Sequence, residues 1–395
     1  MDITIQPRQL QGQVKIIPSK SQAHRLLISA AFADRETILL CPHASKDIAA
    51  TADCLNALGA DITRTDLGYH IVPIAEVPET AVLNCCESGS TLRFLLPIVG
   101  ALGVDAVFQM EGRLSQRPLS PLWEEMERMG NKLEWLGNNQ LHCFGNLHSG
   151  EYRIDGGVSS QFITGLLFAA SLMEGNSNIA ILGKLESKNY VAMTQQAMAL
   201  FGVQTENFSI SGGQTYRSPG EIAVEGDWSN GAFWLVAQAL GNDVQVLGLD
   251  ENSAQGDRTV LPILAELKNR HMDICVADIP DLVPVLAVAA SAFQGATFTG
   301  IRRLRLKESD RVASTVSMIE QLGCRAEATE DTLTVYPGIL RGGIVDACND
   351  HRIAMAAAIA ATVCKEPVAI MGAHCVAKSY PGFWEEYQLL GGNYA

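Results

Sequence analysis

Short polar turns alternate with long apolar runs along this chain. Six turns rich in Ser, Gly, Asn or Asp each lead into ten or more residues dominated by Ala, Leu, Ile, Val and Phe. Ser, Asp and Asn cap the first turn of a helix by accepting a hydrogen bond from its free amides, so each turn predicts a helix start. Because the runs that follow are apolar on nearly all sides, the pattern predicts six buried helices.

One polar residue taken from each turn shows that the pattern returns at a regular interval. These residues are Ser21, Ser90, Ser159, Ser229, Asp281 and Asp350, at steps of about 69, 69, 70, 52 and 69 residues. Alternating or β-branched runs between the turns predict strands, namely GQVKII, GYHIVPI, NIAIL, DVQVLGL, ATFTGI and TLTVYP. The sequence therefore indicates six duplicated units, each with strands packed around a central helix, and the short fourth step indicates a trimmed unit.

The Ser-Pro-Gly turn at 218–220 separates the third unit from the fourth. We expect one domain at 14–225 and a second domain formed by 1–13 and 226–395, so that the chain crosses twice between them. A double crossing is a natural hinge, and the cleft between two such halves is the expected ligand site.

Composition limits the classes of partner. Of the 395 residues, 47% are apolar and 18% charged, which is typical of a globular protein with large cores. The net charge of −14 argues against a nucleic-acid partner, and an anionic small molecule would need a local cationic pocket.

The longest apolar runs are too short to span a membrane, and the N-terminus lacks a signal-peptide pattern. The ten scattered cysteines favour a reducing cytoplasm over a zinc site or disulfide framework.

The predicted helix starts also carry cations. A helix N-terminus has about half a positive charge and unpaired amides, which attract anions. Basic residues occur at the same turns: Lys20, Arg25, Arg93 and Arg352. This combination predicts a phosphate or carboxylate site, although the first of these turns, taken alone, is more typical of an ordinary capped helix with a solvated lysine. No Walker loop, GxGxxG or GxSxG motif is present.

Ten short motifs, in order, make the chain similar to the EPSP synthase family of enolpyruvyl transferases. They are PSKSQAHR, SGSTLR, QRP, DGGVSSQF, SKNY, EGD, DIPD, KESDR, NDHR and CVAKSYPGFW, and they extend from about residue 16 to residue 390. The resemblance implies a two-domain inside-out α/β barrel with three β-α-β-α-β-β units per domain. It also implies transfer of the enolpyruvyl group of phosphoenolpyruvate to the 5-hydroxyl of shikimate 3-phosphate, with release of phosphate and without a metal or organic cofactor.

The same resemblance assigns roles to individual residues. It implies that shikimate 3-phosphate is bound by Lys20, Ser21, Arg25, Ser159, Ser160, Gln161, Ser187, Tyr190, Asp281 and Lys307. It implies that phosphoenolpyruvate is bound by Lys20, Gly89, Arg117, Gln161, Arg311, Arg352 and Lys378. Asp281 would take the proton from the 5-hydroxyl, and Glu308 with Lys378 would handle the proton at the methylene carbon. Lys20, which would touch both substrates, is the fourth residue that the resemblance implies to be catalytic. Because Asp281 follows Pro280 at a predicted helix start, capping of that helix is the alternative role.

The chain departs from the family pattern at several turns. Glu87 stands where an asparagine is usual, Ser90 and Phe94 replace a threonine and a proline, and Ser19 replaces a glycine. These differences bear on affinity for phosphoenolpyruvate and for the inhibitor glyphosate. Arg303 replaces an asparagine and bears on how shikimate 3-phosphate is held. None of the departures removes a group that the chemistry needs.

Two other functions remain open from the residues. One is the sister enolpyruvyl transfer to UDP-N-acetylglucosamine, which typically uses a reactive loop cysteine, whereas Arg117 here stands in a loop without cysteine. The other is a non-catalytic binder of anionic metabolites on the same fold. We expect an enzyme that acts as a monomer in the cytoplasm on the two small-molecule substrates, without nucleic-acid or membrane partners.

Overall fold

The computed structural model describes all 395 residues, Met1–Ala395. The strands are β1 Ile3–Gln6, β2 Gln11–Lys15, β3 Thr37–Leu40, β4 Asp61–Thr65, β5 Gly68–Val72, β6 Thr80–Asn84, β7 Asp105–Gln109, β8 Asn131–Gly137, β9 Gln140–Gly145, β10 Glu151–Asp155, β11 Ser177–Leu182, β12 Ser209–Ile210, β13 Glu221–Ala223, β14 Asp243–Leu247, β15 Met272–Cys275, β16 Ala296–Thr299, β17 Ala326–Ala328, β18 Thr332–Val335, β19 Gly343–Asp346, β20 Val368–Met371 and β21 Asn393–Tyr394.

The α-helices are α1 Lys20–Ala31, α2 Lys46–Ala57, α3 Gly89–Leu102, α4 Leu122–Arg128, α5 Ser160–Leu172, α6 Lys188–Leu200, α7 Trp228–Ala239, α8 Val260–Leu267, α9 Val283–Ala292, α10 Arg311–Gln321, α11 His351–Ala361 and α12 Phe383–Leu389. Short 3-10 turns occupy Leu114–Gln116, Gly256–Thr259, Pro280–Leu282, Arg302–Leu306 and Ala373–Lys378. None of the helices combines the length and the apolarity that crossing a membrane requires.

The chain divides into two compact units. The N-terminal unit is Pro18–Val224, and the composite unit consists of Met1–Ile17 and Glu225–Ala395. Each unit has its own hydrophobic core. The buried side chains come mainly from α1, α3 and α5 in the N-terminal unit and from α7, α9 and α11 in the composite unit.

Three sheets enclose the core of the N-terminal unit. Their strand orders are β13-β3-β5-β4, β6-β7-β9-β8 and β10-β11-β12. Each sheet begins with a parallel pair, for example β6 with β7, and continues with antiparallel strands. Burial alternates along many strands, as in β10, while α3 and α5 are buried on nearly all sides. The helices therefore lie inside and the sheets outside, which is the inside-out arrangement.

The composite unit repeats this plan with strands from both ends of the chain. Its sheets have the orders β19-β20-β1-β21, β14-β2 and β15-β16-β18-β17. The N-terminal β1 pairs antiparallel with β20 through Ile3↔Ile370, and β2 pairs parallel with β14. The sheet β14-β2 has only its parallel pair, in agreement with a trimmed unit. Six sheets that all contain a parallel pair confirm the six repeated α/β units.

The predicted strands are confirmed, and the predicted helix starts are confirmed with small shifts. All six alternating runs lie on strands: β2, β5, β11, β14, β16 and β18. Ser159 and Asp350 cap α5 and α11 as expected. In three other turns the cap lies two residues earlier, at Ser19, Ser88 and Asp227. The residues chosen from the sequence there fall inside the first helical turn.

Candidate active site

Lys20 opens α1 and is positioned by the next helix. The hydroxyl of Ser19 caps α1 by accepting from the backbone N–H of Gln22 at 3.4 Å. The Nζ of Lys20 donates to Oδ2 of Asp47 in the first turn of α2 at 2.8 Å, and the two side chains are only 16% and 15% exposed. An ammonium group held this way keeps its charge in a restricted position.

Arg25 connects three helices of the N-terminal unit and is 2% exposed. Its Nε donates to Thr194 at 2.8 Å, NH1 donates to the carbonyl of Ser21 at 2.5 Å, and NH2 donates to Thr164 at 3.3 Å and the carbonyl of Tyr190 at 3.0 Å. Four of the five N–H groups of a guanidinium are thus used within the protein. Burial lowers the pKa of Arg25, and Tyr190 opposes that shift. Arg25 therefore has one N–H left for an anion.

Gln161 and Ser90 are oriented by Arg93. The NH1 of Arg93 donates to Oε1 of Gln161 at 2.7 Å, and its NH2 donates to the carbonyl of Pro118 at 2.9 Å. Because the amide oxygen of Gln161 is taken, its Nε2 faces the other way and donates to Ser90 at 3.0 Å. One buried arginine thus sets the geometry at the starts of α3 and α5 and in the loop after Arg117.

Arg117 lies directly against Gly89, the first residue of α3. A Cβ built on Gly89 would lie 2.5 Å from NH1 of Arg117, so only glycine lets the guanidinium approach the helix start. The Nε of Arg117 is buried without a hydrogen-bond partner in Met1–Ala395. The open amides at the start of α3 and this guanidinium together make a cationic corner that suits a phosphate or carboxylate.

A chain of buried hydroxyl groups runs behind this corner. The Nδ1 of His24 lies 2.7 Å from Oγ1 of Thr51, which lies 2.6 Å from Oγ1 of Thr91. Thr91 donates to Ser88 at 2.7 Å, and Ser88 caps α3. Burial, with Lys20 and Arg25 adding repulsion, holds the pKa of His24 well below its usual range, so this imidazole is neutral. The chain fixes the starts of α1 and α3 relative to each other.

Asp281 is the centre of the ionic cluster in the composite unit. It lies in the 3-10 turn Pro280–Leu282 before α9, and neither element has a side-chain cap. Its Oδ1 accepts from NH1 of Arg311 at 2.7 Å, and its Oδ2 accepts from NH2 of Arg352 at 2.9 Å. Nζ of Lys307 lies 3.9 Å from Oδ1. The carboxylate is thus held by cations, and the alternative role of capping α9 is not the one it has.

These cations decide the charge of Asp281. Burial alone would favour the neutral acid, but Arg352, Lys307 and Arg311 together hold the pKa of Asp281 well below its usual range. Burial lowers the pKa of Lys307 to about 8, although Asp281 opposes the shift. Asp281 is therefore ionised in the free protein, and Lys307 is the cation of the cluster that loses its proton most readily.

Arg311 is 1% exposed and joins three carboxylates. Besides Asp281, it donates from NH2 to Glu308 at 2.6 Å and from Nε to Asp350 at 2.9 Å. NH2 also donates to Oδ1 of Asp350 at 3.4 Å, so that four of the five N–H groups of Arg311 are used in all. Despite burial, these carboxylates raise the pKa of Arg311. Asp350 also caps α11, so one side chain fixes both Arg311 and the helix that carries Arg352.

Comparisons with known proteins cover nearly the whole chain. The family model described as EPSP synthase (3-phosphoshikimate 1-carboxyvinyltransferase) matches residues 5–270 and 263–387. The 3-phosphoshikimate 1-carboxyvinyltransferase of Clostridium kluyveri is 41% identical over 416 residues, covering 99% of this chain and 97% of that protein. That of Clostridium perfringens is 39% identical over 418 residues, covering 99% and 98%. The chain belongs to the EPSP synthase family.

The fold comparison agrees with this membership. A solved structure of EPSP synthase from Acinetobacter baumannii superimposes with a TM-score of 0.81 at 23% identity, covering 100% of this chain and 99% of that one. A second structure of EPSP synthase from the same organism gives 0.80 at 22% identity. The predicted EPSP synthase fold, with two α/β units of three repeats each, is confirmed.

The residues predicted from the EPSP synthase resemblance form two groups, one in each unit. In the N-terminal unit, most of the group lies at the starts of α1, α3, α5 and α6, whereas Arg25 lies in the second turn of α1 and Arg117 follows the 3-10 turn Leu114–Gln116. The side chain of Arg25 links α1 to α6, and that of Arg93 links α3 to α5. The members of the group are Lys20, Ser21, Arg25, Gly89, Arg117, Ser159, Ser160, Gln161, Ser187 and Tyr190. The group in the composite unit consists of Asp281, Lys307, Glu308, Arg311, Arg352 and Lys378. Lys378 joins it through the carbonyl of Asn349, to which it donates at 2.9 Å.

Some functional partners are not evident from the EPSP synthase motifs. Asp47, Asp350 and Thr194 each bind a predicted site residue but lie 27, 39 and 169 positions from it in the sequence. Of these three residues, only Asp350 can be recognised from the sequence, as a turn residue within the motif NDHR. The sequence shows Arg93 only as a cation at a predicted helix start, because its role in orienting Gln161 depends on how α3 packs against α5.

The departures from the EPSP synthase pattern have definite places in the structure. The ring of Phe94 lies 4.9 Å from the guanidinium carbon of Arg25, and Ser90 accepts from Gln161. Glu87 packs against Gly112, whose φ of 57° is in the left-handed region. In Met1–Ala395 no group of three or more His, Cys, Asp or Glu side chains is arranged to hold a metal ion.

Proposed function

We propose that this protein transfers the enolpyruvyl group of phosphoenolpyruvate to the 5-hydroxyl of shikimate 3-phosphate and releases phosphate. The observation that carries the proposal is membership of the EPSP synthase family over nearly the entire chain. This reaction belongs to the shikimate pathway, which supplies aromatic amino acids. Both substrates are multiply charged anions, in keeping with the cations grouped in each unit.

The N-terminal unit supplies most of the proposed contacts to shikimate 3-phosphate. The hydroxyl groups of Ser159, Ser160 and Ser187 lie at the starts of α5 and α6, where backbone amides also favour an anion. We assign Ser21, Gln161 and Tyr190 to the same substrate, together with Lys20 and the remaining N–H of Arg25. Lys307 and Asp281 of the composite unit complete this assignment.

For phosphoenolpyruvate we assign two sets of cations. Arg117 beside Gly89, with Lys20 and Gln161, forms the first set. Arg352, Lys378 and the remaining N–H of Arg311 form the second. Planar guanidinium groups match both the carboxylate and the phosphate of this substrate, because each presents two oxygen atoms to parallel N–H donors.

Asp281 is the proposed general base for the 5-hydroxyl. In the free protein it is a weak base, because Arg352 and Arg311 neutralise it. When these arginines also bind the carboxylate of phosphoenolpyruvate, they stabilise the ionised form of Asp281 less strongly. The pKa of Asp281 then rises, and the group becomes able to accept a proton. Binding of phosphoenolpyruvate thus activates Asp281 as the base for the 5-hydroxyl of shikimate 3-phosphate.

Glu308 and Lys378 are the proposed proton carriers at the methylene carbon. As the 5-hydroxyl oxygen bonds to the central carbon of phosphoenolpyruvate, the methylene carbon takes up a proton and becomes a methyl group. Departure of phosphate with loss of a methyl proton then restores the double bond. Glu308 is fixed by Arg311 at 2.6 Å, and Lys378 by the carbonyl of Asn349, so both are held in place.

Phosphate release measures this function directly. We expect purified protein to release one phosphate per phosphoenolpyruvate only when shikimate 3-phosphate is present. Asp281→Asn should reduce kcat by about 10²-fold or more, whereas Asp273→Asn on the exposed side of β15 should match the wild type. Release with UDP-N-acetylglucosamine instead would identify the sister transferase, and no release with either acceptor would leave only an anion binder.

We also propose that the enzyme acts as a monomer in the cytoplasm, without a nucleic-acid or membrane partner. Each unit buries its own core, so a second copy is not needed to cover it. No disulfide joins the ten cysteines, as suits a reducing compartment. The net charge of −14 opposes broad contact with nucleic acid. Sedimentation at several protein concentrations would reveal any larger assembly.

A further inference from the structure

Ser90 carries a hydroxyl group at the start of α3 to which the assignments above give no substrate. It is the second residue of the helix and is partly exposed, so a bound molecule can reach it. Its chain neighbour is Gly89, against which Arg117 lies. Its Oγ accepts from Nε2 of Gln161 at 3.0 Å. Because Gly89 and Gln161 are both assigned to phosphoenolpyruvate, Ser90 lies between two proposed contacts of that substrate.

The hydrogen bonds that lead to Ser90 have a fixed direction. NH1 of Arg93 donates to the side chain of Gln161 at 2.7 Å, and a guanidinium has no acceptor atom, so the amide oxygen Oε1 must face it. The amide nitrogen Nε2 therefore faces Ser90 and donates to its Oγ. Turning the amide round would place its nitrogen against the N–H of the guanidinium. Ser90 is thus the acceptor in this bond, and its own proton is not used in it.

The hydroxyl proton of Ser90 has no acceptor within Met1–Ala395. The bond from Gln161 is the one hydrogen bond that the side chain makes. A serine in the middle of a helix can donate to the carbonyl four residues earlier. Four residues before Ser90 is Cys86, which lies outside α3 and whose carbonyl accepts from the backbone N–H of Glu111 at 2.7 Å. The proton is therefore available to a bound molecule.

Arg93 makes this proton a better donor. Its side chain is 4% exposed, and its guanidinium carbon lies 5.5 Å from the centre of the Phe162 ring, so the charge is held away from water. In a buried chain of hydrogen bonds each donor polarises the next. This chain starts at the cation, passes through the amide of Gln161 and ends at Ser90. Its positive end therefore points to the hydroxyl group, which favours an anionic acceptor.

We propose that Ser90 is a further binding residue for phosphoenolpyruvate and donates its hydroxyl proton to an anionic oxygen of this substrate beside Gly89. Through Gln161, Arg93 sets the direction of that bond. This inference rests on the proposed function, because it takes the groups on either side of Ser90 to bind phosphoenolpyruvate.

The alternative is that Ser90 only links α3 to α5 by accepting from Gln161. The two roles differ in the substrate that they affect. Gln161 is assigned to both substrates, so loss of its anchor should weaken binding of shikimate 3-phosphate and of phosphoenolpyruvate together. Loss of a proton donor beside Gly89 adds a penalty that only phosphoenolpyruvate shows.

The first experiment compares Ser90→Thr with Ser90→Val. Both new side chains are β-branched and similar in shape, but only threonine keeps the hydroxyl group. In Ser90→Thr we expect KM for phosphoenolpyruvate to stay close to the wild-type value. In Ser90→Val it should rise about tenfold or more, the order expected for a lost hydrogen bond to a charged group. KM for shikimate 3-phosphate should be nearly equal in the two variants.

Equal KM values for phosphoenolpyruvate in Ser90→Thr and Ser90→Val would overturn the proposal. A parallel rise of both KM values in Ser90→Val would do the same and leave only the linking role. Ser90→Ala, compared with the wild type, repeats the test if the valine variant does not fold, because alanine needs less space and favours a helix. It should show the same selective rise, and an unchanged KM for phosphoenolpyruvate would again contradict the proposal.

The second experiment measures the Kd of phosphoenolpyruvate by titration calorimetry, without shikimate 3-phosphate and therefore without turnover. We expect the Kd to be about tenfold higher in Ser90→Val than in Ser90→Thr. Equal Kd values would count against the proposal as equal KM values would.

The titration also separates the role of Ser90 from the proposed function. A protein that releases no phosphate, yet binds phosphoenolpyruvate more tightly as Ser90→Thr than as Ser90→Val, would refute the function and retain Ser90 as a ligand. A protein that releases phosphate with equal KM values in the two variants would refute only the role of Ser90. Absence of both turnover and binding would refute both.

Discussion

The ammonium group of Lys20 and the carboxylate of Asp47 form a 2.8 Å ion pair that joins the starts of α1 and α2. Because the pair is only about one-seventh exposed, it restricts Lys20 more than a surface pair would. We expect Asp47→Asn to lower kcat/KM for both substrates about tenfold, as the lysine loses its fixed position. Asp53→Asn, on the exposed side of the same helix, is the matched control. Equal activity of Asp47→Asn and Asp53→Asn would show that Asp47 does not contribute to the function of the site.

Arg25→Lys tests whether the arginine acts mainly as a structural link. Lysine keeps the charge but cannot reach Thr194, Thr164 and the carbonyl of Tyr190 together. The free energy of unfolding should fall by about 2–4 kcal/mol, measured by urea denaturation. KM for shikimate 3-phosphate should rise as well, since the start of α6 is no longer held. A variant with lower affinity but wild-type stability would instead make Arg25 a dedicated ligand.

Gly89→Ala should act selectively on phosphoenolpyruvate. The new methyl group would lie 2.5 Å from NH1 of Arg117, so the guanidinium must move away from the start of α3. We expect KM for phosphoenolpyruvate to rise by about tenfold or more, with KM for shikimate 3-phosphate nearly unchanged. Gly382→Ala, where a Cβ meets no atom within 4 Å, controls for the general effect of adding a methyl group. A parallel rise in both KM values would argue against the assignment of Arg117.

Lys307 should make binding of shikimate 3-phosphate depend on pH. Burial lowers the pKa of its ammonium group to about 8, so the positive charge is present below that pH and is lost above it. We therefore expect KM for shikimate 3-phosphate to rise between pH 7.5 and 9. In Lys307→Arg the rise should disappear, because a guanidinium stays charged throughout this range. An unchanged profile in Lys307→Arg would place the titration on another group.

The repeated α/β architecture was accessible from the sequence because it depends on local patterns. Polar turns before apolar runs correctly marked the buried helices, and alternation correctly marked six strands. The exact cap positions do not follow from the sequence, since every Ser or Asp of a turn is a chemically acceptable cap. At α3, for example, Ser88 caps the helix and Ser90 instead binds Gln161.

The ionic pairs of the site were not accessible in this way. Asp281 stands at a predicted helix start, yet its carboxylate is bound by Arg311 and Arg352, at 30 and 71 positions away. Sequence spacing contains no information on such pairings, which are set when α9, α10 and α11 pack together.

The pairing of β1 with β20 also sets an order for synthesis of the protein. β1 leaves the ribosome about 360 residues before its partner, which at about 5–20 residues per second is a delay of roughly 20–70 s. Throughout that interval the edge of β1 has no neighbour, while Pro18–Val224 already contains every strand of its own three sheets. The N-terminal unit can thus mature during translation, and the composite unit must wait for the last strands of the chain.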